Sequence, residues 1–177
     1  IILYKIVRAA NEFFFAGELE LAYEMCQCPV IAITGTNGKT TTTGLIASML
    51  QHAGVENLAG GNLSPAFSSL VRKTPELDAV VIEVSSFQLE KIASFKPKIS
   101  VWLNFSADHL DRYNSLEEYR EAKLNIFRNQ DDSDIAVVNA AETYPEIKAE
   151  ILSFSAFQGH ADFTLEGAMV LFRGKPV

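Results

Sequence analysis

Short apolar runs alternating with amphipathic stretches set the rhythm of this chain. Residues 30–33, 79–84, 99–105, 135–138 and 151–154 are compact, mostly β-branched runs, the signature of strands buried on both faces. Between them, residues 40–52, 65–73, 87–94, 116–128 and 143–150 carry apolar side chains at helical spacing. The alternation predicts an α/β fold: a mostly parallel sheet with helices on both faces. The end of the chain breaks the rhythm. Two short alternating runs flank Glu166-Gly167 and predict a small β-hairpin. Helix starts are signalled by Ser64-Pro65, by Ser85 with Gln88, and by Ser115 with Glu118, the last two at capping-box spacing.

The first strand runs into ITGTNGKTTTTG, residues 33–44, and after Lys39 the pattern turns helical through Leu45, Ile46, Met49 and Leu50. A strand, a glycine loop and a helix in that order make an anion site. Loop amides and the helix N-terminus, carrying about half a positive charge, converge on one point. Lys39 adds a full charge for β- or γ-phosphate oxygens, and the Thr40 hydroxyl suits Mg2+. The general phosphate loop, G-x-x-x-x-G-K-[ST], wants glycine where this chain has Ile33, which leaves the tighter T-G-T-N-G-K-T. A plain glycine turn capping a surface helix does not explain consecutive threonines, which are poor helix formers.

In an open α/β sheet, ligands collect at the carboxyl ends of the strands, so residues there are the next candidates. Glu83 ends the second run, opposite the glycine loop. It either holds Mg2+ or pairs with a structural partner, and the apolar strand around it favours the metal. Asp108, His109 and Asp111 cluster after the third run, as metal ligands or as a helix cap and its partner. On residues 116–128, Leu116, Tyr119, Ile126 and Phe127 form an apolar stripe with Lys123 in its middle, while Glu117, Glu118, Glu121 and Asn125 face away. Either Lys123 snorkels to water, or desolvation leaves a neutral amine able to take up CO2 as a carbamate fit for Mg2+. Gly60-Gly61-Asn62 is either a close approach to a ligand or a turn.

Composition narrows the field of partners. The 177 residues are 48% hydrophobic and 21% charged, enough for one substantial core, and the net charge is -7. No basic stripe is present, which argues against nucleic acid. Residues 1–17 are apolar but broken by Lys5, Arg8, Asn11 and Glu12, so they read as neither membrane span nor signal peptide. Cys26 and Cys28 have neither zinc-knuckle nor C-x-x-C spacing and are expected to be reduced thiols in a cytoplasmic protein.

These residues resemble the Mur ligase family. ITGTNGKTTT matches its phosphate loop, including the non-glycine first position, and EVSSFQLE and DHLDRY…YREAK resemble the D-glutamate-adding branch. The similarity runs from Gly17 to Val138, with a looser fit beyond. It implies an ATP-dependent amide-bond ligase adding D-glutamate to UDP-N-acetylmuramoyl-L-alanine through an acyl phosphate, in peptidoglycan synthesis. By position, Thr36, Asn37, Gly38, Lys39, Thr40, Thr41 and Thr42 would wrap ATP, with Lys39 stabilising the transferring group. Thr40 and Glu83 would hold one Mg2+, and His109 with carbamylated Lys123 would serve a second. Asn62, Ser85 and His109 would touch the UDP-linked substrate.

The family has three domains, and the resemblance implies the central one here. Residues 1–29 are expected to be a leading helical segment from an N-terminal domain, and residues 30–177 an ATP-binding domain cut at its end. The complete enzyme is expected to be a monomer without nucleic-acid or membrane partners, and the fragment not to ligate by itself. VVNAAE departs from the asparagine-alanine-aspartate usual after the fourth strand. Another ligase of the family, or a phosphate-loop module without ligase activity, are the competing readings.

Overall fold

The structure, a computed structural model, describes the backbone of residues 7–9 and 12–14, and residues 17–107, 112–157 and 160–177. It opens with a small antiparallel ladder of β1 (Val7–Ala9) and β2 (Glu12–Phe14), followed by α1 (Glu18–Met25). Among the described residues of the leading segment, the expected helix forms at Glu18–Met25, whereas Val7–Ala9 and Glu12–Phe14, the latter rich in aromatic residues that favour extended backbone, are strands. Then come β3 (Val30–Thr34), α2 (Lys39–His52), β4 (Asn57–Gly61), α3 (Phe67–Leu70) with a 3-10 extension (Val71–Glu76), and β5 (Ala79–Glu83). After these follow α4 (Ser86–Leu89), β6 (Ile99–Trp102), α5 (Leu116–Leu124) with a 3-10 turn (Asn125–Phe127), and β7 (Ile135–Asn139). The chain ends in β8 (Glu150–Ser155), β9 (Phe163–Glu166), β10 (Met169–Phe172) and β11 (Lys175–Pro176).

One sheet carries β3 to β11 in the order β11-β10-β9-β8-β7-β6-β3-β5-β4. Pairing in this sheet is parallel from β4 through β9, and the β9–β10 and β10–β11 pairings are antiparallel, so the expected α/β sheet with a terminal hairpin is what forms. Every residue of β3 and β5 is buried. Ile31, Ile33, Val81 and Val101 face one side, where Ile46, Ala47 and Leu50 of α2 cover them. Ala32, Val80, Ile82 and Trp102 face the other, packed with Leu19, Phe67, Leu89, Phe95 and Ile126.

Several expected elements differ. On α2, Leu45 and Met49 are exposed; the inward stripe is Thr43, which is buried, with the half-buried Ile46, Ala47 and Leu50, the same period rotated by one position. Ser64-Pro65 starts no helix: α3 has Ala66 as its N-cap, and the Ser64-Pro65 peptide is cis. No helix spans residues 143–150. Pro145 disfavours helical backbone at Tyr144, whose hydroxyl donates instead to the Asn139 carbonyl at 3.1 Å. The glycine pair before Asn62, read as a close approach to a ligand or a turn, ends the edge strand β4. Its paired glycines are demanded by backbone packing: a Cβ on Gly60 would lie 2.3 Å from the Pro65 carbonyl oxygen, and one on Gly61, at φ +106°, 2.3 Å from that of Glu83.

Of the helix caps, Ser85 and Gln88 complete both halves of a capping box. Ser115 accepts from the Glu118 amide, but the Glu118 carboxylate receives the amide of Asn114 rather than that of Ser115. Helix α1 is locked to the body by Glu20, 1% exposed, which accepts from the amides of Ala93, Ser94 and Phe95.

Candidate functional site

Strand order and register gather the candidate residues at one edge. Ile33 on β3 lies level with Glu83 on β5, and Glu83 with Gly61 on β4. The loop after β3 and Asn62 after β4 therefore flank the end of β5. Glu83 is 3% exposed and fully engaged: one carboxylate oxygen accepts the Thr40 hydroxyl at 2.6 Å, the other the Asn62 side-chain amide at 2.8 Å. Among the described residues its hydrogen-bonding partners are neutral, and no recorded ion pair includes it. A buried carboxylate with only neutral donors calls for a cation. The converging carboxylate and hydroxyl oxygens of Glu83 and Thr40 are the hard donors that Mg2+ prefers.

The loop itself is shaped by two glycines. Gly35 has φ +157°, and a Cβ there would meet Leu103 Cβ at 3.0 Å; Gly38 is left-handed, φ +83°, and caps α2. From Thr42 on, the helix closes its own ladder, the Thr42 amide donating to the Gly38 carbonyl at 2.9 Å; the amides just before it form the open helix end. Lys39 Nζ donates to the Thr36 carbonyl at 2.9 Å, so the ammonium lies over the loop.

The first two loop amides are spent inside the protein. Thr36 N–H goes to the Asn104 carbonyl at 2.9 Å and Asn37 N–H to Asn104 Oδ1 at 2.9 Å. Of the expected 36–42 cradle, the peptide groups open to an anion are therefore those of the helix start, from Gly38 to Thr41, while Thr36 and Asn37 serve to shape the loop. Only Thr40 of the threonine run turns to Glu83; Thr43 is buried under the helix, its hydroxyl without a partner.

Lys123 does not snorkel. It is 2% exposed, with Nζ donating to the Gly35 carbonyl at 2.9 Å and 4.8 Å from the centre of the Tyr119 ring. This amine thus touches the phosphate loop from beneath, and α5 is fastened to the site through it. Leu116, placed on the same stripe by periodicity, is 42% exposed. Ser85 lies one residue beyond Val84, but its hydroxyl is committed to Gln88. Asp108, His109 and Asp111 lie outside the described residues.

Two residues not anticipated complete the edge. Asn104 clasps Asn37 with both ends of its carboxamide, adding Nδ2–H to the Asn37 carbonyl at 3.0 Å. Glu142 accepts the Trp102 indole N–H at 2.7 Å and the Phe105 amide at 2.8 Å. Beside them, burial pushes the Tyr144 phenol above its ordinary pKa, keeping it a neutral donor to Asn139. The thiols of Cys26 and Cys28 are free and lie at the opposite, amino-terminal edge, their sulfurs 3.9 Å apart; burial pushes the Cys28 thiol up to about 12. Among the described residues no group of three or more acidic, histidine or cysteine side chains is arranged to hold a metal. No helix among them is long and apolar enough to cross a membrane.

Comparison with known proteins agrees with this geometry. The family profile of the Mur ligase middle domain matches residues 33–172. The UDP-N-acetylmuramoylalanine–D-glutamate ligase of Alkaliphilus oremlandii is 48% identical over 132 residues, 75% of this chain and 28% of that protein. The enzyme of the same name from Pelotomaculum thermopropionicum is 45% identical over 145 residues, covering 78% of this chain and 32% of its own. The chain thus spans 28% and 32% of the length of these two relatives. Among solved structures, a UDP-N-acetylmuramoyl-L-alanyl-D-glutamate–2,6-diaminopimelate ligase superposes with TM-score 0.62 at 27% identity, over 82% of this chain and 36% of that one. MurF ligase from Thermotoga maritima, solved in complex with ADP, shares the fold with TM-score 0.71 at 20% identity, over 97% and 47% of the two chains. On the profile match and these identities, the chain belongs to the Mur ligase middle-domain family.

Proposed function

We propose that this chain is the ATP- and Mg2+-binding part of a cytoplasmic ligase that joins D-glutamate to UDP-N-acetylmuramoyl-L-alanine. The observation that carries the reading is the meeting of Lys39, Thr40, Glu83, Asn62 and Lys123 around one glycine loop, in a chain 45–48% identical to relatives bearing that name.

In this reading the amides at the start of α2 and the Lys39 ammonium hold the polyphosphate, with Lys39 moving from the Thr36 carbonyl to a phosphate oxygen. The substrate carboxylate oxygen attacks the γ-phosphorus and ADP leaves, giving an acyl phosphate. The D-glutamate amine then adds to the acyl carbon, and the tetrahedral adduct expels inorganic phosphate as the amide forms. Thr40 and Glu83 hold Mg2+, which supplies charge neutralisation for phosphoryl transfer. Asn62 orients the Glu83 carboxylate through Nδ2 and presents Oδ1 to the substrate, beside Ser85. His109 and a Lys123 carbamate serve a second Mg2+. The carbamate forms as the neutral amine adds to CO2 with loss of a proton. Residues 1–29 lead in from an N-terminal domain, residues 30–177 belong to the central domain, and the complete enzyme acts as a monomer.

The test is ATP-dependent phosphate release by the full-length protein with UDP-N-acetylmuramoyl-L-alanine, comparing D-glutamate with other amino acids. Release that requires D-glutamate is expected. Equal release with another amino acid, or none with any, would overturn the assignment. The 177-residue chain by itself is expected to bind nucleotide without forming amide.

A further inference from the structure

The phosphate loop does not stand on its own strand alone. Every residue from Trp102 to Ser106, the segment leaving β6, takes part in a hydrogen bond to a neighbouring element. Trp102 Nε1–H and the Phe105 amide both donate to Glu142, at 2.7 and 2.8 Å. The Leu103 carbonyl accepts from Asn139 Nδ2 at 3.1 Å, and the Leu103 amide donates to the Thr34 carbonyl at 3.0 Å. Asn104 takes the Thr36 amide on its carbonyl and grips the Asn37 peptide from both sides. Ser106 gives its amide to the Thr36 hydroxyl at 3.0 Å. The loop is therefore held on its outer side by a backbone segment that is itself fixed by one carboxylate.

We propose that Glu142 and Asn104 are positioning residues for the phosphate site. Asn104 sets the Asn37 peptide and thereby the left-handed turn at Gly38 that aims the helix amides outward, and Glu142 holds the segment from which Asn104 reaches. The inference rests on the nucleotide reading above for its consequence, though not for its geometry. It also gives VVNAAE a purpose: a glutamate at 142 has the reach to satisfy two donors on the neighbouring strand end at once. Both donors need an acceptor, so a glutamine there satisfies one and turns its own N–H2 against the other.

The experiment uses the 177-residue chain with Glu142→Gln, Asn104→Ala and a control, Gln130→Ala. Gln130 is equally buried in hydrogen bonds, to Ser100, Pro97 and Ile135, but at the amino-terminal end of β6, away from the loop. Two readouts are taken below the unfolding temperature of every variant. Amide hydrogen exchange, read by NMR without nucleotide, is expected to quicken at least tenfold at Thr36 and Asn37 in Glu142→Gln and Asn104→Ala and to stay at the wild-type rate in Gln130→Ala. Titration with ATP and Mg2+ is expected to show affinity weakened at least fivefold in the first two variants only. Unchanged exchange at Thr36 and Asn37 in Glu142→Gln would overturn the proposal. So would equal loss of affinity in the control, which would reduce the role of Glu142 to general stability. A wild-type chain that binds no ATP would defeat the nucleotide reading instead, and the exchange rates alone would then decide whether Glu142 sets the loop.

Discussion

Replacing Glu83 by glutamine separates the two jobs that its position combines. The carboxylate is buried at 3% exposure and accepts from Thr40 Oγ1 and Asn62 Nδ2, both neutral. Glutamine has the same shape. Its Oε1 keeps the Asn62 bond, and its N–H2 donates to the Thr40 hydroxyl, which turns to become the acceptor. No buried polar atom is orphaned. Two charge-assisted hydrogen bonds become neutral ones, a loss of about 1 kcal/mol each, while the desolvation cost of a buried anion, several kcal/mol, is relieved. The relief is at least as large as the loss, so the unfolding free energy is expected to match or exceed that of wild type.

Nucleotide binding should respond very differently. A divalent cation about 4 Å from a carboxylate at an effective dielectric near 20 gains several kcal/mol, of which a third would correspond to about a hundredfold in affinity. The expected signature is a reversal of sign. ATP with Mg2+ binds at least about a hundredfold more weakly to Glu83→Gln, whereas ATP in EDTA binds as well as to wild type or better, because a negative charge beside the phosphates has gone. Calorimetric titration under both conditions measures the ratio, and urea unfolding checks the stability. If the variant kept the full Mg2+-dependent gain, Glu83 would be a structural carboxylate, and Thr40 would have no metal to share with it.

Three other perturbations probe the surrounding fold. Glu20→Ala removes the shared acceptor of the Ala93, Ser94 and Phe95 amides and should cost about 3–9 kcal/mol in urea unfolding, at about 1–3 kcal/mol per orphaned group; a loss under about 1 kcal/mol would mean that the niche rehydrates freely. Asp162 joins the end hairpin to β8, and the Ser153 amide, then Arg173 and the Ser153 hydroxyl, hold its carboxyl below the usual range. Its contribution is therefore complete above the unfolded value of about 3.9 and fades as pH falls through the lower folded value. Amide protection of β9 and β10 should decline on acidification in the wild type and not change with acid in Asp162→Asn; equal acid sensitivity in both would refute the assignment. Cys28, its thiol pushed up to about 12 chiefly by burial, should react with iodoacetamide at pH 8 at least about tenfold more slowly than free cysteine in a Cys26→Ser background, where burial persists. A rate equal to free cysteine would show the thiol to be solvated.

How much of this edge was legible in the sequence depends on the range of the interaction that makes it. The glycine loop, Lys39 and Thr40 are consecutive, so spacing alone exposes them, and Glu83 and Asn62 follow because a parallel sheet brings strand ends together. Periodicity likewise gave the sheet and most crossovers, but its phase on α2 was off by one position, since Leu45 and Met49 are as apolar as the residues that face the core. It passed over β4, because Asn57-Leu58-Ala59-Gly60-Gly61 lacks β-branched residues and owes its extended form to the partners β5 and Pro65. Lys123 was visible as an anomaly, a charge in an apolar stripe, though only the fold shows that it reaches Gly35, eighty-eight residues earlier in the chain. Asn104 left no such anomaly, a polar residue after a strand being commonplace, and the departure in VVNAAE marked the neighbourhood of Glu142 without saying what its carboxylate holds. Their meaning lies in bonds to Asn37, Trp102 and Phe105, between residues distant in sequence and unrelated by any repeat. What a sequence states openly is thus the ligand-facing chemistry, concentrated in one loop, while the apparatus that holds the loop still is distributed over strand ends and becomes readable only once their order is known.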